Sequence, residues 1–312
     1  MIDISIVIPI YNCEDSIIDC LNSVVNQIQF DSYEIILIND SSTDSSYKKV
    51  CHFINEHPEI QLSLYSNKEN KGPGYSRNIG IKKAVGNFIC FCDADDRYDP
   101  YFLKYMYSTI VSACKDIVYC GYNICTSKHG TIIHYEKRWH YPDRFNKIID
   151  AYLQSKMHFS HAGAIYRRSF IVENNLFYDE SCCCGEDIEF ICNILLSNPL
   201  CGYVNKSLYY YNASSSSITE TMNTKKIIDS LNALDRILKK INSTNLKLKF
   251  IIGRYASLSY HSLEISYVQK FKMDIPFSIR YRLIMLSIIY IIRKKRLFYQ
   301  ETYKILSYSI FQ

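Results

Sequence analysis

Residues 4–10, Ile-Ser-Ile-Val-Ile-Pro-Ile, are almost uninterrupted β-branched apolar positions, and residues 34–39, Glu-Ile-Ile-Leu-Ile-Asn, repeat the pattern about 30 residues later. Continuous runs of this length predict strands covered on both faces. Between them, over residues 14–28, Ile17, Ile18, Leu21, Val24, Val25 and Ile28 recur at helical spacing, giving a strand-helix-strand crossover. The alternation continues with a helix around 43–56, a strand at 60–65, a helix at 73–85 and a strand at 87–92. The expected class is α/β, an open and mainly parallel sheet whose ligands lie beyond the carboxyl ends of its strands.

After residue 101 the pattern is mixed. Strands are expected at 116–124 and 131–135 and a helix at 143–156, and beyond residue 224 the spacing of Ile227, Ile228, Leu231, Leu234, Ile237 and Leu238 is helical. This divides the chain into an alternating α/β part (1–105), a mixed part (106–220) and a basic helical C-terminal region (221–312).

Polar residues cluster where the strands should end. Tyr11-Asn12 follows the first, Asn39-Asp40 ends the second, Asn67 to Gly74 follows the third, and Asp93, Asp95 and Asp96 end the fourth. Carboxylates at the mouth of a ligand crevice suit a hard divalent ion, Mg²⁺ or Mn²⁺, able to neutralise a diphosphate. An acidic turn capping the helix that begins near Pro100 is the plainer alternative. Gly72-Pro73-Gly74 permits a sharp turn, with Arg77 in the first turn of the next helix, a place suited to phosphate oxygens. The glycines at 72, 74 and 80 do not make a dinucleotide fingerprint, because they follow the third strand.

The chain has 312 residues, 48% hydrophobic and 21% charged, which is the composition of a folded globular protein. The net charge of +5 conceals an asymmetry: residues 1–223 carry −7 and residues 224–312 carry +12. Arg280 and Arg282 precede a ten-residue apolar run, 283–292, and Arg293 to Arg296 follow it. That run is too short to span a bilayer, so it is read as a membrane-surface contact or as a buried helix with solvated ends. A nucleic-acid module is disfavoured, since the positive charge is remote from the carboxylates. Thirteen cysteines without a Cys-x-x-Cys pair, and a start without a basic leader, point to small apolar residues in a reducing cytoplasm.

Ser5 to Asn12, Glu34 to Asp44, Asn70 to Gly80, Asp93-Ala-Asp-Asp96 and Gly185-Glu-Asp187 together resemble family 2 glycosyltransferases of the GT-A fold, including those of bacterial surface-polysaccharide (O-antigen or capsule) assembly. The resemblance covers residues 1 to about 220. It implies that Pro9 and Tyr11 pack near uracil, Asp40 accepts the uracil imide N–H, and Arg77 faces the diphosphate. Asp95 would ligate the metal, Asp93 would contact ribose or metal, and Asp96 would shape the sugar pocket. Asp187 would be the base that takes the acceptor hydroxyl proton and Glu186 would orient substrate or base, with exchanged roles left open; Glu189 reads as an ordinary helix surface or packing residue. Helix capping by Glu186-Asp187 is compatible with this. The implied reaction moves a hexose from a UDP-sugar (glucose first, then galactose or an N-acetylhexosamine) to a saccharide hydroxyl with inversion. The acceptor would be lipid-linked, carried on polyprenyl diphosphate, at the inner face of the membrane. Another nucleotide-sugar enzyme, such as a nucleotidyltransferase, is the alternative, although residues 9–16 lack its Gly-rich basic signature. His161 and Trp139-His140 are weaker candidates for acceptor contacts, and Tyr211 is followed by Asn212 where the family often has Arg or His.

Overall fold

A computed structural model describes residues 2–126, 132–133, 146–153, 157, 159–182, 184–213 and 224–251. The crossover units expected from the spacing form in order: β1 (Ile4–Ile10), α1 (Ile17–Val25), β2 (Tyr33–Asn39), α2 (Ser46–Glu56), β3 (Leu62–Ser66), α3 (Pro73–Lys83) and β4 (Phe88–Phe91). β2 pairs parallel with β1 and β3, and β1 with β4, so all four carboxyl ends lie along one edge of the sheet. α1 buries Ile17, Cys20, Leu21 and Val24, one apolar stripe on the sheet. Opposite Val7, β4 reaches its last residue, Phe91. Pro9, which has no N–H to give, therefore sits past the end of β4's pairing, where a central strand tolerates it.

α3 approaches β1 unusually closely. A Cβ on Gly80 would lie 2.1 Å from Val7 Cγ1 and 2.7 Å from Cγ2. Gly80→Ala is expected to destabilise the protein by about 1–3 kcal/mol, as overpacking does, and urea unfolding with an unchanged m-value will show it.

The second half adds β5 (Arg97–Tyr98), α4 (Phe102–Ser112), β6 (Ile117–Thr126), β7 (Ile132–Ile133), α5 (Asn146–Leu153), β8 (Ala164–Arg167), α6 (Arg168–Glu173), α7 (Glu186–Leu196), β9 (Cys201–Ala213), α8 (Thr224–Lys240) and α9 (Thr244–Phe250). Among the described residues the sheet runs β3-β2-β1-β4-β8-β6-β9-β5, with β7 on β6. It is parallel where the crossover pattern is clear and mixed beyond: β8 runs antiparallel to both β4 and β6, while β9 lies parallel to β6 across a register shift at Cys120–Tyr122. Of the expected elements, 143–156 is described only as α5 and 131–135 only as β7. Trp139, His140 and the basic segment 280–296 lie outside the described residues. No helix among the described residues is long and apolar enough to cross a membrane.

Candidate active site

The carboxyl edge of the parallel strands is assembled from loops that hold one another. Asn12, after β1, accepts the backbone N–H of Thr43 at 2.8 Å, which ties the first two loops together and leaves Tyr11 47% exposed beside half-buried Pro9. At the end of β2, the buried carboxylate of Asp40 accepts Asn67 Nδ2 at 2.7 Å and Lys71 N at 3.0 Å on Oδ1, and Gly72 N at 2.7 Å on Oδ2. In this structure Asp40 is the anchor of the loop that launches α3. Gly72, at φ 90°, takes the left-handed conformation that glycine allows, and Pro73 opens the helix.

That anchoring sets Arg77, whose guanidinium lies inside the protein instead of facing open solvent. Nη2 donates to Asp93 Oδ1 at 2.7 Å and Nη1 to Glu186 Oε1 at 3.0 Å, with the side chain only 5% exposed. The face of Tyr178 lies 5.2 Å from the guanidinium carbon, and Tyr178 stacks in turn on Phe190 at 4.0 Å. Asn78, the next residue, fixes the same wall by donating to the carbonyl of Tyr178 at 2.9 Å and accepting its N–H at 2.9 Å. Gly74 permits the approach, since a Cβ there would lie 2.9 Å from the carbonyl oxygen of Asp179. Arg77 thus joins two acidic segments separated by about 90 residues of chain.

Each acid in the cluster has a distinct environment. Burial alone would raise the Asp93 carboxyl, but Arg77 and then His161 hold it well below the usual carboxylate range. His161 Nε2 stands 3.7 Å from Asp93 Oδ1, outside hydrogen-bonding distance, in a ring that is 4% exposed. Asp95 makes no side-chain hydrogen bond to another described residue, and burial together with the Asp93 charge pushes it up to about 6. Asp96 is turned inward, accepting the hydroxyl of Tyr209 and, at 2.7 Å, the N–H of Asn212; burial raises its pKa well above normal. Its observed contacts fasten the acidic turn to β9. The turn does not cap α4, because Asp99 supplies the turn there, its Oδ1 accepting Tyr101 N at 2.9 Å.

Gly185, at φ 89°, immediately precedes α7, placing Glu186, Asp187 and Glu189 in a first turn whose dipole favours negative charge. Glu186 is buried on Arg77, and burial, followed by the Asp187 charge, raises its pKa. Asp187 is partly exposed, with Oδ1 accepting Ile188 N at 2.7 Å. Glu189 is not an ordinary surface residue: it is 3% exposed and paired with Arg236 of α8 at 2.7 Å. Tyr178 and Arg236 carry no motif of their own, whereas Asn78 falls within the Asn70–Gly80 segment.

Among the described residues no three His, Cys, Asp or Glu side chains form a metal cluster. A Mg²⁺-type ion needs only one or two protein carboxylates plus substrate phosphates, and Asp95, unpartnered and hard, fits that requirement with Asp93 beside it.

The sequence model described as "Glycosyl transferase family 2" matches residues 5–174. The chain belongs to that family. It is 27% identical over 230 residues to glycosyltransferase GlyA of Streptococcus pneumoniae, covering 71% of this chain and 32% of GlyA. It is 26% identical over 212 residues to the minor teichoic acid biosynthesis protein GgaB of Bacillus subtilis, covering 67% of this chain and 23% of GgaB. The chain therefore spans a third or less of the length of these curated relatives. Among solved structures, residues 1–349 of S. aureus TarS in complex with UDP-GlcNAc superpose with a TM-score of 0.62 at 20% identity, covering 86% of this chain and 73% of that one. The GT-A-like mixed α/β fold is shared.

Proposed function

We propose that this family 2 member is a metal-dependent, inverting hexosyltransferase that uses a UDP-sugar and acts on a saccharide hydroxyl during surface-polymer assembly. The observation that carries the reading is the Arg77 bridge, which sets the Asp93–Asp95 turn and the Glu186–Asp187 turn against one another. The bound UDP-GlcNAc of TarS and the teichoic acid role in the name of GgaB favour a UDP donor and a surface-polymer acceptor. A lipid-linked acceptor and a membrane contact through the basic C-terminal residues complete the proposal.

In this reading Asp95, with Asp93, holds the divalent ion, which when bound offsets the charge of the departing diphosphate. Pro9 and Tyr11 line the base end of the crevice. Asp40 shapes the same end through the loop it anchors and has one Oδ2 lone pair left for the uracil N–H. Arg77 keeps the ion-binding and base-bearing turns at fixed separation. Asp187, the most exposed of the three acids on α7, takes the proton as the acceptor oxygen attacks. Glu186 is already committed to Arg77 and orients that turn.

A panel of UDP-sugars with Mn²⁺, read by released UDP, tests the proposal; turnover of one UDP-hexose and its loss in EDTA are expected. Asp95→Asn is expected to lower that rate at least ~10³-fold, an electrostatic loss of the size seen when one such group is removed. The same change should stabilise the metal-free protein at pH 8. Because the native pKa of about 6 lies above the unfolded value, the native state binds the extra proton and loses stability as pH rises between those values. Asparagine removes this penalty, about 1–2 kcal/mol after allowance for partial exposure. Undiminished turnover in Asp95→Asn, or no donor consumed across the panel, defeats the assignment.

A further inference from the structure

α8 lies beyond the residues matched by the family model, yet its half-buried Arg236 grips the segment that carries the proposed base. Arg236 Nε donates to Glu189 Oε1 at 3.1 Å and Oε2 at 2.9 Å, and Nη2 donates to Oε2 at 2.7 Å. Nε also lies 3.2 Å from Asp179 Oδ2, and Nη2 lies 3.5 Å from Cys182 Sγ. The guanidinium therefore holds both ends of residues 179–189, and Glu186 and Asp187 fall between them. Gly185 is pressed on the same helix: a Cβ there would lie 3.2 Å from Ser230 Cα and 3.3 Å from Ala233 Cβ. One turn further on, Lys240 Nζ donates to Asn193 Oδ1 at 3.0 Å, so the contact continues along α7.

We infer that Arg236 is a positioning residue for Asp187, and that α8 belongs to the catalytic unit instead of to a separate C-terminal region. The inference rests on the reading of Asp187 as the base. A flat guanidinium fork can fix the rotation of a helix start as well as its distance, which a point charge does not. Arg77 secures the turn from the nucleotide side through Glu186, and Arg236 secures it from the opposite side through Glu189. Neither cation needs to touch substrate for the base to depend on both.

The test compares the full chain with Arg236→Gln, Arg236→Lys and the pair Glu189→Gln/Arg236→Gln, which removes the buried Glu189 charge together with its cation. UDP with Mn²⁺ is the binding probe and UDP release from UDP-glucose the turnover probe. Arg236→Gln is expected to lower kcat ~30-fold with KM and UDP affinity within twofold of wild type, and Arg236→Lys should recover part of the loss. The double variant should regain thermal stability without regaining kcat. Hydrogen exchange at the amides of 186–190 should quicken ~10-fold in Arg236→Gln while β1–β4 stay unchanged. Unchanged exchange at 186–190 overturns the inference, as does a kcat loss matched by equal loss of UDP affinity. If the wild-type chain turns over no UDP-glucose, the donor or the functional reading is at fault, and the exchange experiment still decides whether Arg236 positions the turn.

Discussion

Asp187→Asn is expected to lower kcat on the order of 10³-fold while leaving UDP and Mn²⁺ affinity within a factor of about three, because general-base assistance contributes that much to a rate. Asparagine keeps the oxygen that accepts Ile188 N, so the first turn of α7 retains its geometry and the melting temperature should move little. Glu186→Gln makes the informative contrast. Glu186 is buried and gives its charge to Arg77, so neutralising it weakens a buried ion pair and should appear mainly in stability. A reversed pattern, with Glu186→Gln inactive and Asp187→Asn active, assigns the base to Glu186. The two acids differ in what already occupies them, and that difference is the ground for proposing Asp187 as the proton acceptor.

The parallel half of the sheet was legible because its signal is local. β1 and β2 are β-branched runs buried on both faces, and each needs only its own residues to be recognised. The acidic strand-end motifs were legible for the same reason, and their order brought in the family. What sequence reading missed depends on partners far along the chain. β9 alternates polar and aromatic residues irregularly and owes its position to parallel pairing with β6 across a register shift. Asp96 was expected at the sugar pocket, but Tyr209 and Asn212, more than a hundred residues away, turn it inward. Arg77 at a helix start has the appearance of a phosphate ligand until Asp93 and Glu186 are seen to occupy it. Glu189 looked unremarkable because its counter-ion lies in α8, 47 residues on. Periodicity reports which face of an element is buried; it does not report which charge waits on the other side.

Replacing Arg77 with methionine is expected to destabilise the protein by about 3–5 kcal/mol at pH 8, the cost of removing one partner from a buried ionic cluster. Methionine fills much of the same volume, so the loss comes chiefly from Asp93 and Glu186, left charged with no cation between them. The pH dependence identifies that cause. In the wild type Asp93 is held well below the usual carboxylate range, so its contribution is complete above the unfolded pKa and is lost only as pH falls through the much lower folded value. In Arg77→Met both carboxyls lose their stabilising charge, take up protons at higher pH and become neutral. The deficit should therefore shrink between pH 8 and pH 5, which urea titrations at the two values will measure. Adding Asp93→Asn and Glu186→Gln to Arg77→Met should restore most of the stability, because an uncharged cluster no longer requires a cation, and should restore none of the transfer activity. That outcome would mean the trio is kept for geometry, holding the Asp93–Asp95 turn and the Glu186–Asp187 turn at the separation the proposed reaction needs. If the variant instead lost equal stability at both pH values, packing around Tyr178 would be the cause and the electrostatic account of the bridge would fail.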